Sequence, residues 1–160
     1  MKLKWKQWLP YILSVGIALG IGFLSSLLSA NGREAYETMA VKPMLTPPGW
    51  LFFIVWTALY ALMGISAVRI WQKPSGSERG KALNLYVLQL ILNFFWSLIF
   101  FNARAYGFAA IWLLILWGVV FMMIRSFDKL DKPAAYLQLP YLFWLTFAAY
   151  LNIATWVLNS

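Results

Sequence analysis

The chain has no cysteine and no histidine in its 160 residues, and only five acidic side chains. Without cysteine there are no disulfides and no thiolate metal sites, and without histidine the commonest metal and haem ligand is missing. A Ser-His-Asp arrangement is excluded for the same reason, and no glycine-rich phosphate loop occurs. Metal catalysis is therefore not expected, and no cofactor is required by any motif in the chain. Charge is scarce too, at 11% of residues against 62% hydrophobic, with a mean hydropathy of +0.71. These values lie far from those of a soluble domain and indicate an integral membrane protein.

A bilayer core of about 30 Å needs roughly 20 apolar residues per helix. Five stretches qualify: Trp8 to Ala30, Pro48 to Trp71, Leu83 to Phe101, Gly107 to Ile124, and Ala135 to Leu158. The fold class read from them is an all-α membrane protein, a five-helix transmembrane bundle forming a single domain over residues 1–160. The first stretch reads as a retained helix, since no small-residue cleavage site is followed by a soluble domain. Glu34, Glu37, Glu78, Asp128 and Asp131 are all assigned to loops. With no ionisable group near a helix centre, a proton relay or ion-coupled pump is disfavoured. Internal repeats of the inverted-transporter kind are not evident.

The net charge of +8 comes from basic residues at helix ends, not on one soluble face, so nucleic acid is not an expected partner. Ten basic residues fall on the amino-terminal side of the membrane and three, Arg33, Lys42 and Arg104, on the other. That asymmetry predicts a multi-pass protein of a bacterial cell membrane with a cytoplasmic amino terminus.

Residues 31–46 form the one substantial loop, long enough for one or two amphipathic helical turns at the membrane surface and expected to act as a lid with Arg33, Lys42, Pro43, Pro47 and Pro48. Thr46 is placed to cap the second span, with Pro47 and Pro48 in its first turn. Within the spans, aromatic and neutral polar residues recur at helical spacing. Phe52, Trp56, Tyr60 and Gly64 share one face; Gln89, Asn93, Trp96, Ser97 and Phe100 a second; Tyr141, Trp144, Ala148 and Asn152 a third, with Pro140 interrupting the last helix and freeing the Tyr136 carbonyl. Trp5, Trp8, Trp50, Trp71 and Trp156 fit an interfacial belt, whereas Trp56, Trp96 and Trp144 lie deeper and near side-chain amides. Asn93 and Asn152 suit interhelical hydrogen bonds and ligand contacts equally well. Gly16, Ala18, Gly20 and Gly22 suit close helix packing, internal or across a dimer.

The ordered motifs are Lys42-Pro43 with Pro47-Pro48; Trp56-x-x-Leu59-Tyr60-x-x-Met63-Gly64; Gln89-Leu90-x-Leu92-Asn93-x-x-Trp96-x-x-x-Phe100-Phe101; Arg104-x-x-Gly107; and Pro140-Tyr141-Leu142-x-Trp144-x-x-Phe147-Ala148-x-x-Leu151-Asn152. In these the chain resembles the TspO family, the tryptophan-rich sensory proteins that include the mitochondrial translocator protein or peripheral benzodiazepine receptor. The resemblance implies a five-helix bundle, often a homodimer, whose pocket binds porphyrins such as protoporphyrin IX and, in many members, isoquinoline carboxamide or benzodiazepine-type drugs. It implies a receptor or sensor first. The alternatives are a transporter of tetrapyrroles or other lipophiles, and an enzyme that breaks down protoporphyrin with light and oxygen, for which Trp56 and Trp144 match the implicated tryptophans. The chain departs from the family in its lid, with Ala35-Tyr36 and Leu45 where an aromatic pair and a tryptophan are common. Nothing basic follows Tyr150, so no steroid specificity is expected.

A lipophile already in lipid gains little from entering another apolar place, so selectivity must come from stacking, shape and hydrogen bonds. Tyr36, Phe52, Trp56, Tyr60, Asn93, Trp96, Ser97, Phe100, Tyr141, Trp144 and Ala148 are the candidate ligand-binding residues, with Asn93, Ser97 and Tyr36 offering polar contacts. Arg33 and Lys42 are placed to meet the propionate carboxylates of a porphyrin.

Overall fold

In hydrocarbon each backbone N–H and C=O must be satisfied within its own segment, and the apolar stretches accordingly fold as helices. The structure, a computed structural model, describes residues 2–160. Helix α1 (Lys2–Leu28) leads through Ser29 into α2 (Ala30–Met39), and an extended segment then reaches α3 (Gly49–Trp71). Helix α4 (Ser77–Ser97) ends in a π-helical turn, Leu98–Asn102, followed by α5 (Tyr106–Asp128), the short α6 (Lys132–Leu137) and α7 (Leu139–Leu158). Five helical segments are long and apolar enough to cross a membrane, α6 and α7 together making the fifth.

The helices outrun the apolar stretches that predict them. Helix α1 starts at Lys2 instead of Trp8, α4 at Ser77 instead of Leu83, and α5 runs on to Asp128. Hydropathy marks only the lipid-immersed part of a helix, whereas the backbone keeps its hydrogen bonds through the headgroup layer. Glu34, Glu37, Glu78 and Asp128 are consequently helical, and of the five acidic residues Asp131 alone lies between helices. None of them approaches the middle of a span.

Close approach sets the α1–α3 pair. A Cβ on Gly64 would lie 2.6 Å from Val15 Cα, and the Ser14 hydroxyl donates to the Gly64 carbonyl at 2.8 Å. Ala18 is fully buried, and a Cβ on Gly22 would meet the Tyr60 ring at 2.7 Å. Gly16 and Gly20 differ, with nothing within 4 Å of a Cβ at either. Of the small residues on α1, then, Ala18 and Gly22 pack internally while Gly16 and Gly20 face outward.

A charge cluster ties α3 to the start of α6. The Asp131 carboxylate, buried at 8% exposure, accepts from Arg69 Nε at 2.7 Å, pairs with Lys73 at 2.9 Å, and caps α6 through the Ala134 N–H at 3.1 Å. The Ser66 hydroxyl adds a bond to the Ala134 carbonyl at 2.7 Å.

Two expected helix ends are corrected. The Thr46 hydroxyl does not cap α3 but donates to the Pro43 carbonyl at 2.7 Å, closing a turn in which Leu45 takes a φ of 70°. Pro48 is itself the N-cap residue, so Pro47 and Pro48 both precede the first turn of α3. At the other site Pro140 lies in the first turn of α7, and the helix break falls at Gln138. Proline is favoured there because its missing N–H has no partner to lose.

Candidate functional site

The three aromatic faces converge where α3, α4 and α7 meet. Tyr60, Asn93, Trp96, Phe100, Tyr141 and Ala148 are buried and form its floor. Phe52, Trp56 and Trp144 are half-buried and lie over that floor. Helical spacing alone aligns these residues on each helix, and packing brings the helices' faces together.

The contacts resolve into two groups. In one, Phe52 meets Trp144 edge-on at 5.4 Å between ring centroids, and Trp56 lies 5.7 Å from Tyr60 and 6.2 Å from Tyr141. In the other, Trp96 stacks on Phe100 at 5.1 Å, and Tyr36 of α2 packs against Phe100 at 5.4 Å and Phe101 at 5.6 Å. Helices α3 and α7 supply the first group, and α2, α4 and the π-helical turn supply the second. Ser97 is half-buried at the end of α4.

Hydrogen bonds fix the floor. Asn93 Nδ2 donates to the Tyr60 hydroxyl at 2.9 Å, and the Tyr141 hydroxyl donates to Gln89 Oε1 at 2.9 Å. Trp96 Nε1 donates to Asn152 Oδ1 at 3.0 Å, while Asn152 Nδ2 donates to the Tyr106 carbonyl at 2.8 Å. Asn152 is thus engaged at both ends of its amide and serves to hold helices together. Asn93 Oδ1 accepts no hydrogen bond among the described residues, so this asparagine retains an acceptor for a ligand.

One polar atom in the group is orphaned. Trp144 Nε1 is buried with no partner, whereas Trp112 donates to the Leu92 carbonyl at 2.8 Å and Trp117 to the Thr146 hydroxyl at 2.9 Å. The other such side-chain atoms among the described residues belong to Ser126 and Gln138, outside the aromatic groups. A buried donor without an acceptor costs about 1–3 kcal/mol. It is retained where something offsets it, and a ligand acceptor is one such partner.

The segment between α1 and α3 has two parts. Residues 31–39 belong to α2, which carries Tyr36 onto the second aromatic group and whose Tyr36 hydroxyl reaches Thr155 Oγ1 at 3.4 Å. The extended part is clasped to the end of α7: Asn159 exchanges two hydrogen bonds with Val41, each 2.9 Å, and the Tyr150 hydroxyl donates to the Met44 carbonyl at 2.9 Å. Pro43 is buried, Pro47 half-buried and Pro48 exposed. Asn159, Tyr150 and Thr155 are contacts that sequence reasoning missed, because nothing in local spacing marks a residue whose partner is a distant backbone. Lys42 forms an ion pair with Glu37, and Arg33 donates from Nη1 to the Ser29 hydroxyl at 3.0 Å. Burial lowers the Arg33 pKa. Lys42 is thus charge-paired, whereas Arg33 has a neutral partner and no ion pair among the described residues.

The rings pack on one another; one depression of about 470 Å³ lies beside Lys81, Asn84 and Leu88 on α4, and another of about 270 Å³ lies between α2 and the π-helical turn, next to Phe101.

Comparison with known proteins adds to this geometry. Residues 14–157 match the model described as the TspO/MBR family. The Tryptophan-rich protein TspO of Chlorobaculum tepidum is 35% identical over 158 residues, covering 96% of this chain and 98% of that one. The Translocator protein of Ovis aries is 36% identical, with 94% and 92% covered. The Tryptophan-rich sensory protein of Cereibacter sphaeroides is 34% identical, with 99% and 95% covered.

Proposed function

Because this chain belongs to the TspO/MBR family, we propose that it is a membrane receptor or sensor that binds porphyrins of the protoporphyrin IX type, and other hydrophobic aromatic ligands, where α3, α4 and α7 meet. The observation that carries the proposal is the orphaned indole N–H of Trp144, whose ring packs on Phe52, which in turn meets Trp56. Phe52, Trp56 and Trp144 are half-buried and supply π surface, at about 0.5–1.5 kcal/mol per aromatic contact beyond burial. Trp144 Nε1 and Asn93 Oδ1 supply a donor and an acceptor, and α2 with the clasped 40–48 segment closes the end of the site.

The sensory and translocator names of its relatives fit a protein that registers or passes a lipophile. We further propose a homodimer in a bacterial cell membrane, lipid-facing elsewhere, with the amino terminus cytoplasmic.

Titration of protoporphyrin IX into the purified protein in detergent is expected to quench tryptophan fluorescence saturably at one site per chain. Trp144→Ala and Asn93→Ala should each weaken binding about tenfold, as befits loss of one hydrogen bond or aromatic contact in a dry site. Helix content should be unchanged by circular dichroism. Full affinity in both variants would move the site elsewhere.

A further inference from the structure

The exit from α4 carries a cation that the rest of the protein leaves unused. The π-helical turn closes with hydrogen bonds from Ala103 N to the Leu98 carbonyl at 3.0 Å and from Ala105 N to the Ile99 carbonyl at 3.2 Å. Between them Arg104 sits at a φ of 51°. This is the left-handed position that closes a helix, where glycine is at ease and a side chain is strained. Arg104 makes no ion pair among the described residues: the acidic partners there are Glu37 for Lys42 and Asp131 for Arg69 and Lys73. Strain kept by a residue without an internal partner points to a role outside the fold.

Its surroundings indicate which role. Arg104 lines the depression of about 270 Å³ together with Asn31, Gly32, Phe101 and Asn102, and no acidic residue lines it. Gly32 makes the juxtaposition of α2 with the turn possible, since a Cβ there would lie 2.6 Å from the Phe101 carbonyl carbon. Asn102 is held by a bond from its Nδ2 to the Leu28 carbonyl at 2.8 Å. Phe101 belongs at the same time to the second aromatic group, against Tyr36 at 5.6 Å and Phe100 at 4.8 Å. A cationic, amide-lined depression therefore adjoins the aromatic rings.

We propose that this depression is a carboxylate-binding subsite, in which Arg104, beside the Asn31 amide, takes an acidic substituent of a conjugated ligand. A guanidinium presents paired donors that match the two oxygens of a carboxylate. The assignment takes the place of Lys42, whose charge is paired with Glu37, and it rests on the porphyrin-class reading of the site.

The test compares protoporphyrin IX with its dimethyl ester, which keeps the macrocycle and removes both charges. Wild-type protein should bind the free acid about tenfold more tightly than the ester, the scale of a charge-assisted hydrogen bond. Arg104→Gly and Arg104→Gln should bind acid and ester alike, at the wild-type affinity for the ester. Arg104→Gly should melt no lower than wild type, because glycine relieves the left-handed strain. Acid binding at wild-type affinity in both variants would overturn the subsite, as would equal losses for acid and ester, which mark a purely structural role. Wild-type protein that binds acid and ester equally overturns the subsite alone, whereas binding of neither overturns the porphyrin reading and the subsite with it.

Discussion

Gly64→Val is expected to lower the melting temperature by roughly 6–12 °C, the equivalent of about 3 kcal/mol in a chain of this size. A Cβ at position 64 would sit 2.6 Å from Val15 Cα and 2.7 Å from Val15 N. Those are backbone atoms, so no rotamer change relieves the clash and α1 must move away from α3. That movement would also break the Ser14–Gly64 hydrogen bond and lift Gly22 from the Tyr60 ring, loosening the Tyr60–Asn93 pair in the floor of the site. Gly20→Val is the matched control, because a Cβ at Gly20 meets nothing within 4 Å. Thermal melts of the two variants in one detergent check the prediction. Equal losses would show that the α1–α3 spacing is not what Gly64 provides.

Asp131→Asn should destabilise the bundle by about 3 kcal/mol, the low end for breaking a buried ion pair, since Arg69 and Lys73 keep a third of their side chains exposed. The amide can still accept from the Ala134 N–H, so the variant isolates the charge from the cap. Burial pushes the Asp131 pKa up, but the hydrogen bonds from Arg69, Lys73 and Ala134 outweigh it and bring it from 3.8 down to about 2. A depressed carboxylate pKa gives stability that is complete above the unfolded value and fades as pH falls through the folded one. The gap between wild type and Asp131→Asn should therefore be constant from neutrality to about pH 4 and close as pH approaches 2. Denaturant or thermal melts across that range measure it, and a gap that persists at pH 2 would remove the carboxylate as its source.

The number of spans and the residues on each aromatic face were legible in the sequence, because both follow from helical periodicity and the thickness of a bilayer. Trp96, Phe100 and Tyr141 are buried, and the belt tryptophans Trp5, Trp8, Trp50, Trp71 and Trp156 are exposed, as their positions along the chain suggested. What periodicity could not give was the local backbone. Thr46 turned to the Pro43 carbonyl instead of α3, Gln138 rather than Pro140 marks the break before α7, and α4 closes in a π-helical turn over Leu98–Asn102 that no spacing announced. Partner choice was equally hidden. Asn93 and Asn152 look alike in sequence, yet Asn152 is engaged at both ends of its amide and Asn93 at one. Lys42 pairs with Glu37 and Arg33 donates a hydrogen bond to the Ser29 hydroxyl, each one turn away or little more, which only the fold of α2 reveals.

The central claim is that a flat conjugated ligand enters the α3–α4–α7 site and meets Trp56 and Trp144. Fluorine NMR of protein labelled with 5-fluorotryptophan tests it most directly, with the ten resonances assigned by single Trp→Phe replacement. A bound porphyrin carries a strong ring current, so saturation with protoporphyrin IX should shift the Trp56 and Trp144 signals most and Trp96 next. The signals of Trp5, Trp8 and Trp71, exposed at the helix ends, should stay nearly in place. Largest shifts at those belt tryptophans or at Trp117, with Trp56 and Trp144 unmoved, would contradict the account.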